Sequence, residues 1–417
     1  MARILPDITP LRVSREFRLL IAGQFVSLTG SALRTVAIAY QVYVLTQSSF
    51  AVGLLGLFSA VPLMALSVWG GVIADRVDRR RMLLVTNACL AAVSLTLAST
   101  TQTGVASVPL LYALTAIGSS FSALDQPARA ALTPTLVERR LIPAAIALRQ
   151  TQIQVASVVG PAIAGVLIAR LGIAAGYWID ALTFAVSFVT IFAMRVPPRD
   201  KTVVHAAPLR ALADGLAFLR SRPLILATMS VDFFATFFAV SRAVMPYFAD
   251  QVFRVGPEGL GLLFAAPGFG AAIVAVTSGW TTGVQRKGLG VLLAVIVFGL
   301  AIAAFGLLPA SAFPVALLLL AVSEGADAVS AIFRHTIILL ETPDELRGRL
   351  VAINSVFVSG GPQLGEVESG TIAALWSPEA AVITGGLACL GVVLVANTLV
   401  PQIARYRANL ELEPAAT

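Results

Sequence analysis

The chain has 417 residues, a net charge of +7 and only 12% charged residues, about half the charged share of an ordinary soluble domain. This composition argues against a soluble enzyme, and the scatter of basic residues over many short gaps argues against nucleic-acid binding. The two histidines and two cysteines have no metal-ligand or nucleophile–base spacing, and no phosphate-binding loop occurs. We therefore expect no enzymatic activity, no metal and no cofactor, with energy supplied by an ion gradient or by a separate subunit.

Long apolar runs recur along the whole chain. Runs of at least about 18 apolar residues are typical of membrane-spanning helices. Lipid offers the backbone no hydrogen-bond partners, and the runs lack the strict alternation of barrel strands, so each is predicted to be a helix. The twelve predicted spans are 19–45, 50–74, 82–100, 108–131, 143–169, 173–195, 223–249, 257–282, 289–308, 313–340, 350–375 and 379–403.

Basic residues concentrate in alternate gaps between these spans. One set of gaps holds Arg12, Arg15 and Arg18 and most of the other arginines, whereas the alternate set holds only Arg170 and Arg254. Because positive charges stay on the cytoplasmic side of a membrane, both termini are predicted to be cytoplasmic. The first run has no cleavage site after it and is predicted to be a retained span.

The longest gap, 196–222, divides the spans into two sets of six. Residues 1–195 are predicted to form one six-helix bundle and residues 223–417 the other. Leucines at 209, 212, 216 and 219 have helical spacing, which predicts an amphipathic helix on the membrane surface, with a plain polar linker as the alternative. The stretch GGVIADRVDRRRMLLV after span two is echoed by SGWTTGVQRKGLGVLL after span eight, which indicates a duplicated unit.

With twelve spans in two halves, the chain resembles the major facilitator superfamily over its whole length. The stretch after span two matches that family's loop 2–3 signature at Gly71, Asp75, Arg76, Arg79 and Arg80. Asp78 stands where the family usually has glycine. The resemblance implies a cytoplasmic gate in which Asp75 caps a helix end of the opposite bundle and the arginines form ion pairs. The alternative is a positive anchor with no gating role.

Span five carries VASVVGPAIAG, which resembles the G-P-x-x-G-G motif of the antiporter branches of this superfamily. Gly160, Pro161 and Gly165 match, whereas Ala164 replaces a glycine. Small residues allow close helix packing and proline kinks a helix, so ordinary membrane-helix packing is the alternative interpretation.

The stretches SRAVMPYFADQ, GLGLLFAAPGFGAAIVAVTSG and ETPDELRGRLVAINS resemble the siderophore-exporter branch of the superfamily. The resemblance implies a monomeric, proton-coupled exporter in the bacterial inner membrane that works by alternating access. Its expected substrate is a small amphipathic molecule, with an enterobactin-like siderophore favoured. A macrolide- or tetracycline-type multidrug efflux antiporter is the nearest alternative. Proton-linked uptake and a non-transporting membrane receptor or scaffold also stay open.

Ionisable residues inside the spans are costly and often functional. Burial away from water disfavours a charged carboxylate, which suits reversible proton binding. On this ground Asp232, Glu324 and Asp327 are the proton-coupling candidates, and pairing with a buried arginine is the structural alternative. The candidates for substrate contact or ion pairing are Arg34, Asp125, Arg129, Arg242, Arg334 and Glu366.

Overall fold

The computed structural model describes residues 7–196, 217–239 and 242–408, without the side chains of 67–76, 344–345, 347–349, 351–352, 355–356 and 359. This part of the chain contains helices and no strands. Its twelve long helices are α1 Arg15–Thr46, α2 Ser49–Arg76, α3 Arg79–Gln102, α4 Val108–Leu132, α5 Ile142–Leu171, α6 Ile173–Ala193, α7 Pro223–Phe237, α8 Gly256–Thr277, α9 Lys287–Gly306, α10 Phe313–Glu341, α11 Asp344–Leu375 and α12 Pro378–Leu399. The predicted all-α fold with twelve helices is confirmed.

Most of these helices are built to cross a membrane. Within the described residues, ten helices are long and apolar enough to do so, whereas α7 is shorter and α11 is not among the ten. Large apolar side chains on the outside, such as Leu182, Val276 and Leu394, are about two-thirds exposed. An apolar exterior of this kind is suited to lipid rather than water.

Polar side chains define where several helices begin. Ser14 accepts a hydrogen bond from the Phe17 amide at the start of α1, and Asp78 accepts one from the Arg81 amide at the start of α3. Ser377 does the same for α12. Each cap satisfies an amide that has no partner inside its own helix. Asp78, the departure from the family signature, therefore works as a helix cap.

The helices form two bundles that meet along two helix pairs. In the first bundle α1 packs on α5 and α6, α3 on α4 and α6, and α2 on α4. In the second, α9 packs on α10 and α12, α8 on α10, and α11 on α7 and α12. The bundles touch mainly where α2 packs on α11 and α5 packs on α8. We call these two contacts the inter-bundle seam.

The predicted continuous span 223–249 is wrong in its second half. Helix α7 ends at Phe237, and helical structure resumes only at Met245–Tyr247. Pro246 has no amide proton for the Arg242 carbonyl and lies in the first turn of the helix that resumes, where proline is well tolerated. A Cβ built on Gly365 of α11 would collide with the Phe237 carbonyl at the break. Arg242 consequently lies in a turn and not within a helix.

Most of the 196–222 segment, including the predicted amphipathic helix, lies outside the described residues. Its last part is described, and residues 217–221 are helical. Leu219 in this part is buried against Ile225 and Met229 of α7.

Candidate functional site

A cavity of about 660 Å³ lies between the two bundles. Its apolar wall includes Met245, Phe264 and Phe298 from the second bundle. Helices α1, α2 and α5 of the first bundle also contribute, so the cavity is shared. Its acidic residues are Asp232, Glu324, Asp327 and Glu366. The three proton-coupling candidates are thus brought together in one space.

Arg334 of α10 is the centre of a buried charge network on this cavity. Its Nη2 lies 2.5 Å from Asp232 Oδ1, and its Nη1 lies 3.5 Å from Asp327 Oδ1. Nη1 also donates to Ser330 Oγ at 2.6 Å. Arg334 and Asp232 are almost completely buried. Two of the proton-coupling candidates therefore share one arginine, as the structural alternative predicts. Glu324 has no ion pair within 4 Å in the described part of the chain.

A smaller cavity of about 210 Å³ adjoins the larger one. Both cavities are lined by Thr35, Arg242, Phe264, Gln363 and Glu366, and the smaller one adds Arg34 and several hydroxyl side chains of the first bundle. Two arginines from different bundles therefore line the same small space. Glu366 lies at the inter-bundle seam. A Cβ built on Gly56 of α2 would lie 2.6 Å from the Cβ of Glu366.

Arg34 is held from behind by a buried carboxylate. Its Nε lies 3.6 Å from Asp180 Oδ2 of α6, and Ser94 of α3 donates to the same oxygen at 2.5 Å. The guanidinium also stacks over the Phe184 ring at 5.9 Å. Arg34 Nη1 is buried and has no hydrogen-bond partner among the described residues. Asp180 thus fixes one edge of Arg34 and leaves the other edge without an acceptor.

Asp125 and Arg129 form an ion pair inside the first bundle. They are one helical turn apart on α4. Asp125 accepts from Thr86 at 2.8 Å and from Asn87 at 3.0 Å, both on α3. Arg129 donates to Asn87 and to Ser187 of α6. The pair therefore ties α3, α4 and α6 together, which supports a stabilising role for it.

Glycines allow the helices of the two bundles to pack closely at the inter-bundle seam. A Cβ on Gly165 of α5 would lie 2.7 Å from the Pro257 carbonyl, and a Cβ on Gly261 of α8 would lie 2.6 Å from the Pro161 carbonyl. A Cβ on Gly160 would instead lie 2.5 Å from the Ala32 Cβ of α1. The antiporter-like motif thus contacts both its own bundle and the opposite one.

The α2–α11 contact of the inter-bundle seam is equally tight. A Cβ on Gly53 of α2 would collide with the Glu366 carbonyl, and a Cβ on Gly370 of α11 would lie 3.0 Å from the Ser49 carbonyl. Sequence reasoning missed Gly53, Gly261 and Gly370. Small residues four apart on apolar helices are the signal that could have found such contacts.

The signature loop after α2 is only partly described. Gly71, Asp75 and Arg76 lie where side chains are outside the described residues, so the predicted gate contact of Asp75 stays a prediction. Arg79 donates to the Ala131 carbonyl at the end of α4, and Arg80 donates to the Ile191 and Phe192 carbonyls at the end of α6. These bonds satisfy carbonyls at helix ends, all within the first bundle.

Two helical bundles around a shared internal cavity define a membrane transporter of the major facilitator type. The chain belongs to the transmembrane secretion effector family, whose model matches residues 6–413. It is 28% identical over 405 residues to the enterobactin exporter EntS of Shigella boydii serotype 18, covering 96% of this chain and 95% of that protein. Enterobactin exporters of Escherichia coli, including strain ED1a, match to the same extent.

Solved transporter structures share the fold. A mutant of the nucleoside transporter NupG matches with a TM-score of 0.76 and 11% identity, covering 93% of this chain and 100% of that one. A bacterial homologue of the human lysosomal transporter Spinster, inward-facing and unoccupied, matches with a TM-score of 0.71 and 14% identity, covering 94% and 97%. The predicted superfamily is therefore confirmed. The chain is a multi-pass membrane transporter of a small molecule and not an enzyme.

Proposed function

We propose that this transporter is a proton-coupled exporter of an enterobactin-like siderophore in the bacterial inner membrane. The observation that carries the proposal is the inter-bundle cavity with four carboxylates from α7, α10 and α11, in a chain similar to enterobactin exporters along 96% of its length. A space with little water disfavours the charged form of a carboxylate, which makes reversible protonation of these groups easier. Asp232, Glu324 and Asp327 are the proposed proton carriers.

Alternating access is the proposed mechanism, with the bundles rocking as rigid bodies around the cavity. The positive-inside rule supports a cytoplasmic position for the starts of α1 and α3. The glycine contacts at Gly53, Gly165 and Gly370 then lie toward the outer face. The larger cavity extends away from that seam to Gln154 and His335. We infer that this conformation receives substrate from the cytoplasmic side, with both termini in the cytoplasm and one chain sufficient for transport.

Transport into inside-out vesicles tests the proposal. Radiolabelled iron-free enterobactin is offered with and without an acidic vesicle interior, and a radiolabelled macrolide runs in parallel. We expect accumulation of the siderophore only with the gradient, and its loss in Asp232→Asn and Glu324→Gln. The control is Glu138→Gln, because Glu138 is an exposed acid far from the cavity.

Three outcomes contradict parts of the proposal. Accumulation of the macrolide alone favours a multidrug exporter, for which the apolar wall at Phe264 and Phe298 is suitable. Siderophore transport that does not depend on the proton gradient would show that the proposed proton coupling is wrong. If a folded, inserted protein moves neither compound, export of these substrates is wrong and the receptor alternative gains support.

A further inference from the structure

Arginines at corresponding positions of the two repeats line one cavity. Gly71 and Gly279, matched by the echo of the two loops, are 208 residues apart, and so are Arg34 and Arg242. Arg34 is on α1, and Arg242 follows α7, the equivalent helix of the second bundle. Both line the cavity of about 210 Å³. Equivalent positions of repeated halves surround the central site of such transporters.

The guanidinium of Arg34 is oriented but incompletely satisfied. Asp180 and Phe184 hold its Nε edge and its face, while the buried Nη1 has no acceptor among the described residues. A buried donor without a partner is costly. The Arg34 side chain is 17% exposed and lines the small cavity, so an anion there would meet its guanidinium while the ion pair with Asp180 stays in place.

Arg242 is the more accessible of the two. It has no ion pair within 4 Å among the described residues, and Glu324 and Glu366 are the carboxylates whose charges interact with it. Its side chain is exposed and lines both cavities. Arg334 differs sharply, because Asp232, Asp327 and Ser330 already occupy its donors. Within the described part of the chain, Arg334 is the one arginine on the two cavities that pairs with two carboxylates within 4 Å, so Arg34 and Arg242 keep more donors for a ligand.

We propose that Arg34 and Arg242 form an anion-binding subsite for an acidic group of the transported molecule, a carboxylate or a catecholate. Guanidinium groups bind planar oxyanions through two parallel hydrogen bonds. The cavity has several times the roughly 30 Å³ that one water occupies in the liquid, so an aromatic acid group fits. Gln363 lines the same space and adds a neutral hydrogen-bonding group. The subsite rests on the proposed function only in assigning the anion to the exported substrate.

Each arginine has a separate task in this subsite. Arg34, fixed by Asp180, gives the acidic group a set position on the first bundle. Arg242, in the turn after α7, closes on it from the second bundle. Asp180 is a positioning residue, since it holds Arg34 and does not line the small cavity.

Equilibrium binding to the purified full-length chain in nanodiscs tests the subsite. The probes are 2,3-dihydroxybenzoate and its uncharged amide, 2,3-dihydroxybenzamide, which have nearly the same shape. Isothermal titration calorimetry measures both dissociation constants. We expect the natural chain to bind the acid about tenfold more tightly than the amide, a difference of about 1.4 kcal/mol, because the acid forms charge-assisted hydrogen bonds that the amide lacks.

Substitutions locate the preference. Arg34→Gln and Arg242→Gln should each bring the acid-to-amide ratio close to one, and Arg242→Lys should keep part of it, because lysine keeps the charge without the planar fork. Arg170→Gln, at the exposed end of α5, is the matched control and should keep the full ratio. If Arg34→Gln misfolds, the prediction for Arg242→Gln decides, because that side chain is not buried in a packed core.

The subsite is wrong if Arg34→Gln and Arg242→Gln bind both probes as tightly as the natural chain does, because a carboxylate or a catecholate bound there would lose a guanidinium partner in either variant. The binding assay needs no proton gradient, so failure of the subsite can be distinguished from failure of the proposed transport function. If the natural chain transports the siderophore and the variants keep the full preference for the acid, the proposed export stands and the subsite is wrong. If the preference for the acid depends on Arg34 and Arg242 but no siderophore is transported, the subsite stands and the proposed export is wrong.

Discussion

Arg334 of α10 lies 2.5 Å from Asp232 of α7, and the second oxygen of Asp232 is buried with no hydrogen-bond partner among the described residues. The pair connects two helices across the wall of the larger cavity. Removing one member of a buried pair leaves an uncompensated charge in a medium of low dielectric, which costs more than the pair contributes when intact. Protonation of Asp232 would have the same consequence for Arg334, with only Asp327 left to compensate at 3.5 Å.

Arg334→Gln and Asp232→Asn should each destabilise the protein by roughly 3–5 kcal/mol. The double variant should recover much of this loss, since neither charge is then left alone. Thermal unfolding in detergent measures the effect. Glu138→Gln, which breaks an exposed pair with Arg140, is the control and should cost less than about 1 kcal/mol. Strictly additive losses in the double variant would contradict a direct coupling of the two residues.

A methyl group on the α5–α8 seam should open it. In Gly165→Ala and Gly261→Ala the new Cβ would be closer than 3.0 Å to backbone carbonyls of the opposite bundle, which cannot move aside as a flexible side chain can. We expect the bundles to separate at this end while each bundle stays folded. Spin labels at positions 47 and 376, in a background without Cys89 and Cys389, report the separation by electron–electron distance measurement.

Gly391→Ala is the control for this experiment. No atom lies within 4 Å of a Cβ built on Gly391, and the same methyl should leave the distance distribution unchanged. Equal distributions in all three variants would show that the seam tolerates the added volume, and that it does not set the conformation.

Sequence periodicity and charge predicted the helices well, but they failed where tertiary contacts decide. Hydropathy cannot detect the break after Phe237, because the residues beyond it are as apolar as those before it. The pairing of Arg34 with Asp180 joins residues on α1 and α6, and no local spacing indicates it. By contrast, Asp125 and Arg129 are one turn apart on one helix, so their pairing was predictable from the sequence.

Substitution of Arg80 should be costlier than substitution of its neighbour Arg81. Arg80 donates to two carbonyls at the end of α6 and stacks on Phe192, whereas the Arg81 side chain is exposed. Arg80→Ala should lower the free energy of unfolding by about 1–3 kcal/mol, and Arg81→Ala should leave it nearly unchanged. Both variants remove one positive charge from the first turn of α3. Equal thermal shifts would therefore point to a topological effect of the charge and not to the helix-end bonds.

The C-terminal segment should make stability sensitive to alkaline pH. Beyond α12, the Tyr406 hydroxyl donates to Glu341 Oε1 at 3.0 Å. Burial, the hydrogen bond to Glu341 and the charge of Glu341 raise the pKa of Tyr406 above its ordinary value. A group whose pKa is raised by folding stabilises the protein fully below its unfolded pKa, about 10 for tyrosine, and this stabilisation is lost as the pH rises further.

The unfolding temperature of the natural chain should therefore fall between about pH 10 and 11.5 more steeply than that of Tyr406→Phe, when both are measured in the same detergent. Glu341→Gln keeps an acceptor but removes the charge that opposes ionisation, so its profile should lie between the other two. Because every other titrating group is shared by the three proteins, the differences between their profiles isolate this one contact. Parallel profiles for the natural chain and Tyr406→Phe would mean that Tyr406 ionises as easily in the folded protein as in the unfolded chain.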